Sequence, residues 1–253
     1  RYKNADMPVW MFTSRDEGET FENGHCCLPR DRYFVTEMER VFRLPSGRII
    51  IPAGEHGKTQ NGYANVTSRS RSVFFYSDDE GKTFTEADIQ ESGEDAGRPG
   101  FQEPGAVLLP DGRLMAYART GRGCQCIAFS EDQGESFTPY KETPLFPSPI
   151  SPMSVKPLED GRLIAVFNPI PEAQTGWETM WSRSPLVYRT SRDGIHWGPM
   201  TVLETQNPDA SYCYTSVFSD GGFVLLAYCA GTREDKLCLN RLRVVRIPLS
   251  EIR

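Results

Sequence analysis

Short apolar runs broken by polar turns recur along this chain, and their lengths suit β-strands, not helices. Residues 101–137, FQEPGAVLLPDGRLMAYARTGRGCQCIAFSEDQGESF, hold one whole unit. The run EPGAVLLP meets the turn PDGR, and a second run, LMAYAR, follows it. After a glycine-containing loop comes a third run, CQCIAFS, which ends in SEDQGESF. Asp-Gly between apolar runs signals a hairpin, because glycine supplies the positive φ of a tight turn. Three strands with a shorter fourth over ESFTPY predict a small antiparallel sheet the size of one propeller blade.

Both turns of the unit return at long intervals. The hairpin reappears as PSGRIIIPAG (45–54), EDGRLIAVFN (159–168) and SDGGFVLLAY (219–228). Its glycines stand at 47, 112, 161 and 221, with intervals of 65, 49 and 60 residues. The second turn reappears as SRDEGETF (14–21), SDDEGKTF (77–84) and, shortened, SRDGIHW (191–197). Its central aspartates, at 16, 79, 132 and 193, are 63, 53 and 61 residues apart. Such periods predict propeller blades carrying loop insertions, at about 34–90, 101–142, 151–204 and 211–250. Ahead of them, VWMFTS and its turn form the last two strands of a further blade. Residues 1–253 are thus expected to be one all-β domain.

Composition narrows the partners. A net charge of −6 argues against nucleic acid, whose phosphates need a basic surface. No apolar run approaches the length of a membrane span, and no signal-peptide pattern stands at the start. The seven cysteines show no metal-ligand spacing and read as buried free thiols. Asn65-Val66-Thr67 is a glycosylation sequon and by itself weak evidence for secretion.

The second repeated turn has the form S-x-D-x-G-x-T/S-F/W, the Asp box of the sialidase (neuraminidase) superfamily. QEPGAVLLPDGRLMAYAR resembles the strand pair that carries the catalytic glutamate and a substrate-binding arginine in that superfamily. SRSPLVYRTSRDG and YCYTSVFSDGGFVLLAYCAG follow in the same order, and the likeness covers nearly the whole chain. It is most similar to a bacterial sialidase-like branch. The resemblance implies a six-bladed β-propeller whose N-terminal blade or blades, with the first clamp arginine and the acid/base aspartate, lie outside this sequence. An open ring of this kind needs its edge covered, by a partner or by a homo-oligomer contact.

Strand direction locates the functional rim. The Asp boxes sit between third and fourth strands and have a structural role. The opposite rim then collects the starts of first and third strands and the ends of second strands. Glu103 stands eight positions before Asp111, and Tyr212 eight before Asp220, so both open innermost strands. Arg119 ends a second strand seven residues after Gly112, and Arg183 starts a third strand ahead of PLVYRTS.

By resemblance, Glu103 is the base on a tyrosine nucleophile, and Arg119 and Arg183 are the second and third arginines of a carboxylate clamp. Tyr212 is the register-matched nucleophile; Tyr214, pointing the same way, is the alternative. His56, Glu39 and Gln125 are further substrate-binding candidates, and Glu37 opens an innermost strand beside Glu39. A sialic acid carries a carboxylate on its anomeric carbon, which arginines bind bidentately. That carboxylate would repel an anionic nucleophile, whereas a neutral tyrosine escapes the repulsion. The implied activity is exo-hydrolysis of a terminal sialic or related carboxylated sugar, with a glycan as partner and no metal or organic cofactor. A catalytically inactive glycan-binding or interaction propeller is the alternative.

Overall fold

A computed structural model describes residues 7–57, 69–89, 100–170 and 181–253. The sequon at Asn65 lies outside them. Alternating side chains and glycine turns shape a series of antiparallel sheets arranged as propeller blades. Strands β1 (Trp10–Thr13) and β2 (Glu22–Cys26) pair around the first Asp box.

The first full blade follows, with β3 (Tyr33–Val35), β4 (Phe42–Arg43), β5 (Ile49–His56), β6 (Arg71–Ser77) and β7 (Thr85–Glu86). After a short β8 (Asp88–Ile89) comes the second, with β9 (Gln102–Leu108), β10 (Leu114–Arg119), β11 (Cys124–Ser130), β12 (Ser136–Phe137) and β13 (Lys141–Pro147). The third holds β14 (Ser154–Pro157), β15 (Leu163–Phe167), β16 (Leu186–Ser191) and β17 (Thr201–Glu204). The fourth holds β18 (Cys213–Asp220), β19 (Phe223–Cys229) and β20 (Leu242–Pro248).

Four blades and the β1–β2 pair are thus present among the described residues, short of the six that the resemblance implies. One strand differs from the sequence expectation. ESFTPY does not supply the fourth strand of the second blade. β13 pairs with β11 there, while β12 pairs in parallel with β8.

The core lies between blades. Phe74, Leu114, Ala116, Ala128 and Phe137 fill the first interblade layer, with Phe74 and Phe137 stacked at 4.4 Å between ring centres. Alanines on facing strands let the sheets approach closely at this layer. Phe146, Phe167 and Trp197 fill the next, with Trp197 edge-on to Phe146 at 5.1 Å. Trp197 is the last residue of the shortened Asp box, so that turn also plugs a blade interface.

Each Asp box ties its own turn. The Ser14, Ser77, Ser130 and Ser191 hydroxyls accept from the amides of Gly18, Gly81, Gly134 and Gly194 at 2.8, 2.9, 2.8 and 2.8 Å. The aspartates accept from the amides of Thr20, Thr83, Ser136 and His196. Hydrogen bonds from Thr20 and Ser14 hold Asp16 down at about 2, and those from Thr83 and Ser77 do the same for Asp79. A depressed folded value contributes stability fully present above the unfolded aspartate value of about 3.9 and lost below it. The urea midpoint should therefore fall as the pH drops from about 4 through about 2. Asp79→Asn should start lower at neutral pH and lose less across that window.

Candidate active site

Two β-bulges build the site. Tyr117 pairs with Gly105 and Arg119 with Gln102, so Glu103 and Pro104 together oppose Ala118. Cys213 pairs with Cys229 and Ser216 with Ala227, so Tyr214 and Thr215 together oppose Tyr228. The first residue of each bulge has left-handed backbone, φ 49° at Glu103 and 55° at Tyr214. Non-glycine residues rarely adopt that region, and bulges near active sites re-aim side chains. Glu103 and Tyr214 therefore occupy equivalent places in their blades and turn toward each other.

Tyr214 Oη donates to Glu103 Oε1 at 3.0 Å. Arg119 Nη1 lies 2.6 Å from both Glu103 oxygens, and each side chain of this pair is 12% exposed. The Arg183 guanidinium lies 5.6 Å from the centre of the Tyr214 ring, and its Nη2 donates to the Ile150 carbonyl at 3.2 Å. Burial pushes the Glu103 carboxyl up, but the Arg119 and Arg183 charges with the Arg119 hydrogen bond hold it below the usual carboxylate range. Burial, then the Glu103 and Glu37 charges, push Tyr214 well above an ordinary phenol. The pair is thus a neutral tyrosine hydrogen-bonded to an anionic glutamate, the pattern of a nucleophile beside its base.

Glu37 comes from an excursion of the innermost strand. Residues 36–41 leave the ladder between Val35↔Gly54 and Phe42↔Ile50, and this excursion carries Glu37 to Glu103. Burial beside the Glu103 carboxylate, to which it hydrogen-bonds, pushes Glu37 up to about 9, so it is a neutral acid at pH 7. A raised folded value favours the fold below the ordinary glutamate value of about 4.3. That contribution is lost as the pH rises through about 9. Glu37→Gln, which keeps a neutral donor, should flatten the decline of the urea midpoint across this range.

The other expected residues divide. His56 is buried and close to Glu103 and Arg119; burial lowers it, and of the two charges Glu103 raises it and Arg119 lowers it further, leaving it below the ordinary histidine value. Glu39 does not join the cluster and lies with Oε1 4.0 Å from Lys156 Nζ. Gln125 is fully buried, and its Nε2 donates to Ser148 Oγ at 3.0 Å and the Ser151 carbonyl at 2.8 Å. It holds the loop whose Ile150 carbonyl receives Arg183.

Tyr212 is placed elsewhere. Its ring packs edge-on to Tyr228 at 6.4 Å, in the core between the third and fourth blades. The residue count from the hairpin failed because the two hairpins close differently. β18 and β19 pair as far as Asp220↔Phe223 and turn on two glycines, whereas β9 and β10 stop at Leu108↔Leu114, leaving Asp111 in a longer loop.

Sequence reasoning also missed Arg40, which is buried, donates to Tyr117 Oη, and donates to the Met153 carbonyl at 2.7 Å. Gly105 makes room for this pair, since a Cβ there would lie 2.4 Å from Tyr117 Oη. The glycine in QEPG was the available signal.

The family model of the BNR repeat-like domain matches residues 3–225. The chain belongs to the BNR repeat-like family, within the sialidase superfamily. The anhydrosialidase of Macrobdella decora is 25% identical over 221 residues, covering 82% of this chain and 27% of that protein. Among solved structures, a leech intramolecular trans-sialidase complexed with 2,7-anhydro-Neu5Ac superposes with a TM-score of 0.69 at 19% identity over 96% of this chain. The intramolecular trans-sialidase of Ruminococcus gnavus in complex with oseltamivir carboxylate gives 0.69 at 22% identity, also over 96%. The BNR repeat-like chain spans 36% and 50% of these two structures.

Proposed function

We propose that this chain carries the nucleophilic half of a sialidase-type glycoside hydrolase site. The observation that supports this most is the 3.0 Å hydrogen bond from Tyr214 Oη to Glu103, made between bulges of two different blades. Tyr214 Oη attacks the anomeric carbon of a terminal carboxylated sugar as its proton passes to Glu103. The bond to the leaving oxygen breaks, and that oxygen takes a proton from a general acid in the other half of the site. Water then attacks the anomeric carbon and gives its proton back to that group, the tyrosyl–sugar bond breaks as Glu103 returns its proton to Tyr214, and the configuration is retained. A neutral tyrosine avoids the repulsion between a carboxylate nucleophile and the sugar's own carboxylate. Arg183, and Arg119 at the base of the site, supply the fixed positive charge that such a carboxylate seeks.

Hydrolysis of a fluorogenic sialoside panel by the wild-type protein and by Glu103→Gln tests the reading. Turnover should fall by about 10²–10⁴-fold in the variant. Equal turnover in both proteins would overturn it. No turnover in either, with saturable binding of free sugar, would show a glycan-binding propeller instead.

A further inference from the structure

Beside Arg183 lie three cysteines that the proposed chemistry leaves unused. Cys213 immediately precedes Tyr214 and stands directly opposite Cys229 in the β18–β19 ladder. Opposed residues of an antiparallel ladder have Cα atoms about 4.5–5.5 Å apart, inside the range of about 4.4–6.8 Å that a disulfide spans. The short helix Cys238–Asn240 closes over the pair, with the Gly231 amide donating to the Cys238 carbonyl at 3.0 Å. A Cβ at Gly231 would lie 2.7 Å from that carbonyl oxygen, so only glycine lets the segment pass this close. The thiols of Cys229 and Cys238 both hydrogen-bond to Cys213, and all three are free. Cys213 and Cys238 are 1% and 0% exposed, while Cys229 is half-buried.

The segment 212–214 also wraps Arg183. The Tyr212 amide donates to the Arg183 carbonyl at 2.8 Å, and the guanidinium hydrogen-bonds to the Cys213 sulfur and faces the Tyr214 ring. Hydrogen bonds from Cys229 and Cys238, and then the Arg183 charge, outweigh burial and hold the Cys213 thiol well below its ordinary range. The thiolate is the form that peroxides oxidise.

We propose that Cys213 and Cys229 are a peroxide-responsive disulfide pair that sets the position of Arg183, a regulation of the site that rests on the sialidase-type reading. The Cys213 thiolate attacks one oxygen of hydrogen peroxide, the O–O bond breaks and hydroxide leaves, giving a sulfenic acid. The Cys229 sulfur attacks that sulfur and expels its oxygen, which departs as water with the Cys229 proton. The hydroxide takes up the proton that Cys213 released on ionising, so two thiols lose two electrons in all and one peroxide becomes two waters. The disulfide sulfur is neutral, so Arg183 loses its anionic partner one residue away from Tyr214.

The test treats the full chain with hydrogen peroxide, alkylates the remaining thiols and maps the peptides, with N-acetylneuraminic acid binding measured in parallel. Expected are a loss of two hydrogens, a single Cys213–Cys229 linkage reversed by dithiothreitol, and sugar affinity about ten-fold weaker in the oxidised form. Untreated Cys229→Ser should bind the sugar as the reduced protein does, and on peroxide treatment it should stop at a Cys213 sulfenic acid and form no linkage to residue 229. Cys213 still open to alkylation, a Cys213–Cys238 linkage, or equal affinity in both redox forms would overturn the proposal. A Cys213–Cys229 linkage in a protein that never binds the sugar would support the pair and refute the sialidase-type reading.

Discussion

Tyr214→Phe should lower sialoside turnover by about a thousand-fold or more, while Tyr212→Phe stays within about two-fold of wild type. The two substitutions remove the same atom, two residues apart on one strand, and differ only in where that atom lies. At Tyr214 it is the hydroxyl that donates to Glu103. At Tyr212 the ring that carries it packs in the core against Tyr228. Tyr214→Phe leaves the Arg119–Glu103 pair intact, so its urea midpoint should stay near that of wild type while activity disappears. Steady-state kinetics on the two variants decide the point, and equal losses in both would refute the placement of the nucleophile.

Arg119→Met should destabilise the fold by about 3–5 kcal/mol, because it leaves a buried carboxylate without its closest cation. The pair is 12% exposed on each side and hydrogen-bonded through both carboxylate oxygens, so solvent screens it little. Arg119 and Arg183 hold the Glu103 carboxyl below its ordinary value. Its contribution is therefore present above the unfolded glutamate value and lost as the pH falls. Without Arg119 that pull weakens, and the deficit of the variant should shrink on acidification below about pH 4. Glu103→Gln combined with Arg119→Met should be clearly more stable at pH 7 than Arg119→Met alone. Urea denaturation of wild type, Glu103→Gln, Arg119→Met and the double variant at two pH values measures this, and strict additivity would contradict a coupled buried pair.

Much of the architecture was legible because its signals are local. Asp-Gly turns and Ser-x-Asp-x-Gly boxes fix hairpins through backbone conformation and nearby hydrogen bonds, both written within a few residues. The pairing of β12 escaped because its partner β8 lies outside the sheet of the second blade, which no local pattern reports. Glu103, Arg119 and Arg183 were legible as site candidates from strand ends and resemblance, and the structure brings them together with Tyr214. Counting from the hairpin pointed to Tyr212 because it assumed equal hairpin loops, while the shorter two-glycine turn of the fourth blade shifts the register to Tyr214. Glu37 rides on an excursion of the innermost strand, where alternation carries no information. The cysteine group draws on β18, β19 and a short helix, so only the folded chain shows it.

The most direct measurement incubates the protein with a 2,3-difluorinated sialic acid and maps the modified peptide by mass. Loss of fluoride from the anomeric carbon would leave the sugar on the attacking atom, and the second fluorine slows its hydrolysis. The account predicts a covalent adduct on Tyr214 that is absent from Tyr214→Phe and strongly slowed in Glu103→Gln. No adduct, or one on Tyr212 or Glu103, would contradict it.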